Sequence, residues 1–282
     1  MGYADRIVAL LESAKPATLL DVGCGNGALM QALRRRWPDL RPRGVEPAPR
    51  VAMAARLGGM PVAASLRPGM RAALVTSVNV IEHTADPLAF LASLRRAVAP
   101  GGLALVICPD GSRPWLELLM ADHRWSLPPA ALGFLAVRAG FEVARSAPAP
   151  GGFQAMLLRP AFPRRPASPR NVVRPAPRRQ YLGSWRALDA SLAARLPAGP
   201  VTAFGVGEAA CLLRAYAPAA WRRVTALTAD DPAGFEAFGR PLEAPSGKGS
   251  LLLAVRPAAQ AGLAARLART RPVVRWDDIV AC

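Results

Sequence analysis

The chain has two histidines, and each directly follows an acid: Glu82-His83 and Asp122-His123. An imidazole with an ordinary pKa of about 6.5 takes a proton from a hydroxyl or an ammonium near neutral pH, so both are candidate general bases. A second stretch with chemical potential is Leu19-Leu20-Asp21-Val22-Gly23-Cys24-Gly25-Asn26-Gly27, with glycines at alternate positions. Without a Cβ, Gly23, Gly25 and Gly27 can take positive φ and turn main-chain N–H groups at a helix start toward a polar ligand. A dinucleotide fingerprint reads G-x-G-x-x-G, whereas here the spacing is G-x-G-x-G with Asp21 two residues before the first glycine. A carboxylate repels a diphosphate and attracts an ammonium or sulfonium, so Asp21 points to a positively charged cofactor. Glu46 ends the second strand, where an acid in nucleotide-binding α/β domains accepts the ribose hydroxyls.

Apolar periodicity supplies the elements that would position these groups. Ile7, Val8, Leu10 and Leu11 recur at helical spacing within residues 3–13, and the apolar run 18–22 ends in the glycines, predicting a helix and then a buried strand. Helices over 28–36, 49–57 and 87–98 alternate with strands over 43–46, 61–64 (weak), 73–76 and 103–108. Such alternation implies a parallel sheet with its ligands at the carboxyl ends of the strands. His83 and His123 fall in the loops after the fourth and fifth strands, so both can border one crevice. A short helix at 115–120, a helix over 128–139 and extended runs at 141–145 and 153–158 complete a first domain, residues 1–158. Trp115 and Trp125 flank the His123 segment, as an aromatic wall for an acceptor or as core.

Residues 159–180 form a Pro/Arg-rich linker, since 159–179 holds seven arginines, six prolines and no acid. A smaller, Rossmann-like α/β domain follows over 181–282, with helices at 184–196, 208–216 and 257–268 and strands at 201–204, 223–228, 250–255 and 272–276. Its segment VTAFGVGEAA carries Gly205 and Gly207 in a G-x-G-x-x-A turn, with Asp230 and Asp231 after the next strand. That is either a weak site for an NAD-type dinucleotide or a close-packed turn that seats a helix on the sheet.

Of the 282 residues 52% are hydrophobic and 20% charged, which suits two globular domains and excludes disordered, collagen-like and disulfide-scaffold chains. No apolar run approaches the roughly 18 residues of a membrane span, Asp5 and Arg6 interrupt any signal-peptide core, and Arg6 stands where a myristoylation motif wants Ser or Thr. A cytoplasmic protein without a membrane partner is expected. The net charge of +17 comes almost wholly from arginine, Lys15 and Lys248 being the two lysines, and reads as a solvated basic surface plus linker or as a nucleic-acid footprint. Cys24, Cys108, Cys211 and Cys282 show neither CxxC spacing nor clustering with histidine, so no metal site and no disulfide framework is expected.

Taken together, LLDVGCGNGALMQAL, GVEP and AALVTSVNVIEHTADPLAFLASLRRAVAPGGLALVICPD resemble the class I S-adenosylmethionine-dependent methyltransferases over about residues 15–158. The resemblance implies a seven-stranded Rossmann-like domain with S-adenosylmethionine as cofactor. Gly23, Gly25 and Gly27 would hold its methionine part, Glu46 its ribose, and the stretch from Ser77 to Asn79 would lie beside it. The family-like pattern V-x-E-H-x-x-D-P maps to Val80, Glu82, His83, Asp86 and Pro87. The third strand departs from the family, offering only Ser65 where an acid normally approaches the adenine. The segment MADHRWSLPPAAL resembles an element of small-molecule O-methyltransferases and implies His123 as base, with His83 as the alternative and a structural role for both as the third reading. The second domain is loosely similar to the C-terminal domain of sugar C-methyltransferases, without the Cys-rich module that precedes it there. Methyl transfer to the hydroxyl, amine or carbon of a small acceptor (saccharide, polyketide or quinone-like) is therefore expected. The alternatives are an RNA methyltransferase, against which Asn79-Val80-Ile81-Glu82 replaces the Asn/Asp-Pro-Pro-aromatic element, and a non-catalytic or NAD-type binding protein.

Overall fold

A computed structural model describes residues 3–11, 15–149, 151–169, 174–230, 238–243 and 249–280. The chain divides into two units, Met1–Arg174 and Pro175–Cys282.

In the first unit the elements run α1 (Tyr3–Leu11), β1 (Thr18–Val22), α2 (Ala28–Arg36), β2 (Arg41–Val45), α3 (Pro49–Leu57), β3 (Val62–Ala63), β4 (Ala72–Val78), α4 (Pro87–Ala97), β5 (Val98–Pro109), α5 (Pro129–Arg138), β6 (Phe141–Ala149) and β7 (Phe153–Pro160). They build the expected seven-stranded sheet, in the order β3-β2-β1-β4-β5-β7-β6. The first five strands pair in parallel, and β7 runs antiparallel to both β5 and β6. Winding reverses between β1 and β4, which opens a crevice at their carboxyl ends, the usual ligand position in such sheets.

The period of two along the strands sorts side chains into two cores, one per face. Leu19, Leu74, Leu105 and Ile107 pack with Ile7 and Leu10 of α1 and Met30 and Leu33 of α2. Leu20, Val75, Val106 and Cys108 pack with Leu91 and Leu94 of α4 and Leu132 and Ala136 of α5. The short helix expected at 115–120 is a 3-10 turn, Leu116–Leu119, a segment too short to nucleate a stable α-helix between Pro114 and the following loop.

The second unit runs α6 (Pro175–Arg195), β8 (Val201–Phe204), α7 (Glu208–Tyr216), α8 (Pro218–Arg222), β9 (Val224–Thr228), β10 (Leu242–Glu243), β11 (Ser250–Leu253), α9 (Pro257–Leu267) and β12 (Val273–Val274). Its sheet is parallel, in the order β10-β9-β8-β11-β12. Both edges of the expected linker are corrected. Arg159 and Pro160 finish β7, and α6 begins at Pro175 rather than 184. Prolines in the first turn of a helix lack only N–H groups that have no intrahelical partner, so Pro175 and Pro177 start the helix instead of excluding it. Asp189 of α6 caps α8 by accepting from the Ala219 and Ala220 amides. The buried Arg271 donates to the Gly249 carbonyl and to Thr202 Oγ1 of β8. Among the described residues no helix is long and apolar enough to cross a membrane.

The start of α4 offers a direct stability test. Asp86 caps it by accepting from the Leu88 and Ala89 amides at 2.9 and 3.0 Å, with Pro87 in the first turn. Asp86→Ala is expected to lower the unfolding free energy of the first unit by about 1 kcal/mol, read from urea denaturation of the full chain.

Candidate active site

The turn after β1 is held by the end of β2. The Val45 carbonyl accepts from the Gly23 and Cys24 amides at 2.8 and 3.0 Å. Glu46, the next residue, accepts from the Gly25 amide at 3.0 Å through one oxygen and from the Ala48 amide at 2.9 Å through the other. Gly23, Gly25 and Gly27 have φ of 81°, 54° and 79°, in the region where a side chain is strained. They differ in what surrounds them. A Cβ on Gly23 would stand 2.2 Å from Val80 Cγ2, and one on Gly27 3.1 Å from the Ala55 Cβ, whereas one on Gly25 would meet nothing within 4 Å. Gly25 therefore presents bare backbone to open space at the crevice.

Asp21 lies beneath this turn, 2% exposed, and its Oδ1 accepts from Thr76 Oγ1 at 2.7 Å across the β1–β4 pairing. Burial pushes its pKa up to about 6, the Thr76 hydrogen bond opposes that shift, and the Glu46 charge adds to it. Nothing in the sequence marks Thr76, because its importance lies in its register with Asp21. Burial also pushes the Cys24 thiol up to about 12, with Asp21 and Glu46 contributing, which keeps it protonated and unreactive.

At the carboxyl end of β4, the buried Ser77 Oγ and the Asn79 Oδ1 have no hydrogen-bond partner among the described residues. Asn79 takes φ of 56°, its amide donates to the Ile107 carbonyl, and its Nδ2 donates to the Tyr3 hydroxyl at 3.3 Å. Tyr3 brings α1 to this edge, a role invisible in a sequence where it reads only as the start of a helix. Ser65, by contrast, is exposed beyond β3.

The next turn, Ile81–His83, carries His83 to the side of His123. The His83 and His123 rings lie 4.8 Å apart, centroid to centroid, nearly perpendicular at 82°. The loop carrying His123 is fastened here because the Glu82 carbonyl accepts from the Arg124 and Trp125 amides at 2.8 and 3.2 Å. The exposed Trp125 donates from its indole to the Thr84 carbonyl, and Trp115 packs edge-on to Phe153. His83 Nδ1 stands 3.1 Å from the Asp122 carbonyl oxygen and 3.4 Å from its carboxylate. The Glu82 side chain beside them is 1% exposed, and neither carboxylate oxygen has a hydrogen-bond partner among the described residues. Burial pushes its pKa up to about 7, an effect partly offset by the nearby amide of its own backbone and strengthened by Glu117 and Asp122. Glu82, His83 and His123 place potential metal-ligating atoms within 4.8 Å of one another. Cysteine spacing, on which the expectation of no metal site rested, carries no information about such a set.

In the second unit Gly205 has φ of 115°, and a Cβ there would stand 2.5 Å from the Ala254 carbonyl oxygen, the packing of a tight turn. Glu208 pairs with Arg256 at the start of α7, and Asp230 with Arg266, while Asp231 lies outside the described residues.

Residues 2–146 match the family described as "Methyltransferase domain". The ubiquinone biosynthesis O-methyltransferase of Cereibacter sphaeroides is 38% identical over 114 residues, covering 36% of this chain and 44% of that protein. Its namesake from a Methylobacterium species is 41% identical over 99 residues, covering 30% of this chain and 38% of that protein. The chain thus spans less than half the length of these curated relatives. Among solved structures, a mitomycin 7-O-methyltransferase is 24% identical with a TM-score of 0.49, covering 56% of this chain and 53% of that one.

The buried Asp21 generates a pH-dependent stability. An unfolded aspartate titrates near 3.8 and the folded one near 6. Below about pH 3 both states are largely protonated and burial carries no charge penalty, whereas above about pH 7 the penalty is complete, at about 3 kcal/mol. Asp21→Asn is expected to raise the melting temperature at pH 7.5, and the gain should shrink through about pH 5 and vanish by about pH 3, followed by thermal denaturation across that range.

Proposed function

The chain belongs to the class I S-adenosylmethionine-dependent methyltransferases, and from that premise we propose that its first unit moves a methyl group from S-adenosylmethionine to the hydroxyl of a small-molecule acceptor. The observation that carries this reading is the glycine turn at the winding reversal of the sheet. Gly25 leaves open space beside bare backbone, and Glu46 fixes the amide that faces it. The residues present fit the cofactor. Gly25 and Gly27 admit its methionine part, the Glu46 oxygens keep lone pairs for ribose hydroxyls, and Asp21 supplies negative charge for a cationic ligand. Ser77 Oγ and Asn79 Oδ1 are polar atoms free to take up a ligand at the same edge.

When bound, the cofactor supplies an activated methyl group on a sulfonium. The protein contributes alignment of the acceptor with the methyl group, a large part of the rate in such transfers, and activation of the acceptor hydroxyl by the imidazoles of His83 and His123. An oxygen acceptor is favoured over nitrogen or carbon because the curated relatives carry O-methyltransferase names. The basic surface remains as an RNA reading, and no observed contact favours it.

Calorimetry with S-adenosylhomocysteine tests the cofactor site. Glu46→Ala is expected to weaken binding tenfold or more, the loss of charge-assisted hydrogen bonds of about 1.5–3 kcal/mol. Gly25→Ala should weaken binding while the protein stays folded, because its Cβ meets no neighbour and its positive φ costs only about 1–2 kcal/mol, whereas Gly23→Ala should lower the melting temperature further through its clash with Val80. Wild-type affinity in both Glu46→Ala and Gly25→Ala would overturn the assignment.

The acceptor side is tested with labelled S-adenosylmethionine and a panel of phenolic and aliphatic hydroxyl compounds. His123→Ala is expected to keep S-adenosylhomocysteine affinity and to lose turnover by about 10² to 10⁴. Retention of more than about a third of wild-type turnover would remove the residue from the chemistry.

A further inference from the structure

A fully buried carboxylate with neither oxygen bonded is unfavourable when charged, and it is relieved by a proton or by a cation. Glu82 is such a group, and the charges nearest to it in effect, Glu117 and Asp122, are also acidic. Two imidazoles stand beside it, with one donor atom from each of the three residues inside a 4.8 Å span. We propose that Glu82, His83 and His123 form a binding site for one divalent transition-metal ion of the zinc or cobalt kind, at the loops that follow β4 and β5.

The donor set selects the ion. Imidazole nitrogen with carboxylate oxygen suits zinc, cobalt or manganese, whereas magnesium and calcium prefer oxygen alone. Ligand atoms at about 2.1 Å from a tetrahedral ion are about 3.4 Å apart, so closing onto an ion asks each donor to move by no more than a side-chain rotation supplies. The surroundings are arranged for it. The Asp122 carbonyl and carboxylate near His83 Nδ1 favour a proton on that nitrogen and leave Nε2 as the lone-pair donor, the outer-shell pattern of metal-bound histidines. Glu82 and His83 share one turn, and the amides of Arg124 and Trp125 on the Glu82 carbonyl anchor the loop that carries His123. The site therefore exists without the ion.

Three protein ligands leave a coordination position open, the arrangement of a catalytic rather than a structural metal. This role rests on the methyl-transfer reading, because the open position fits the oxygen of an acceptor hydroxyl. The ion would then be the means by which the two histidines act on the acceptor.

The test uses the full chain, without a polyhistidine tag and stripped with a chelator, titrated with Co²⁺ by visible absorption and with Zn²⁺ by calorimetry. One ion per chain is expected, with the d–d bands of a nitrogen- and oxygen-ligated Co²⁺. His83→Ala, His123→Ala and Glu82→Gln should each weaken binding by about tenfold or more, removal of a ligand exceeding the effect of an outer-shell change. Cys211→Ser, at an exposed thiol, should leave binding unchanged. The two histidine variants decide the matter if Glu82→Gln fails to fold. Absence of stoichiometric binding, or binding that survives His83→Ala and His123→Ala, would overturn the proposal. Calorimetry with S-adenosylhomocysteine on the same samples separates the two readings. Nucleoside binding without Co²⁺ removes the metal and leaves the methyltransferase, while Co²⁺ binding without nucleoside binding does the reverse.

Discussion

The first unit depends on the grip that the end of β2 exerts on the turn after β1. One carbonyl, Val45, and one carboxylate, Glu46, together accept from four amides, three of them in the glycine turn. That turn has no regular pairing of its own, and these bonds set its path. The grip also explains Gly44. A Cβ there would stand 2.4 Å from Cys24 Sγ and 2.9 Å from Met30 Cε, so the strand can approach the turn only without a side chain. Glu46 is thus structural and chemical at once, since the oxygens that would meet a ribose already position the backbone beside it.

What is local in this chain was legible from its letters. Periodicity located α2 and α3 as observed, alternating glycines marked the turn after β1, and βα alternation implied the parallel sheet. What depends on strands finding their register was not legible. Thr76 meets Asp21 because β4 lies beside β1, and no spacing within either strand announces that. The approach of His83 to His123 was foreseen only as far as two loops sharing one edge. The Glu82 carboxylate emptied of partners and the acids around it emerge from how the later loop folds back. Pro175 and Pro177 misled for a physical reason, since proline opposes the interior of a helix yet suits its first turn.

Two carboxyl groups at this edge, Asp21 and Glu82, are held where their charged forms are disfavoured. Both belong to a chain with a net charge of +17, and both are paired with neutral groups or with none rather than with arginine. Bulk charge therefore says little about this crevice. Its carboxyl groups carry negative charge where they ionise, which fits cationic ligands and would oppose a phosphate backbone.

The second sheet, β10-β9-β8-β11-β12, repeats the order of the first five strands, β3-β2-β1-β4-β5. Even the hinge is repeated, for Gly205 at positive φ donates to the last carbonyl of β9 as Gly23 donates to that of β2. The equivalent mouth differs in its electrostatics. Arginines from beyond β11 and from α9 pair with Glu208 and Asp230, whereas at the first mouth Asp21 is bonded to the Thr76 hydroxyl and Glu82 has no arginine partner among the described residues. Winding fixes where a mouth is, and charge decides whether it is open to a guest. A chain with two mouths of the same winding should therefore saturate with nucleoside at one equivalent, and the second mouth is a ready scaffold into which a binding turn could be transplanted by undoing two ion pairs.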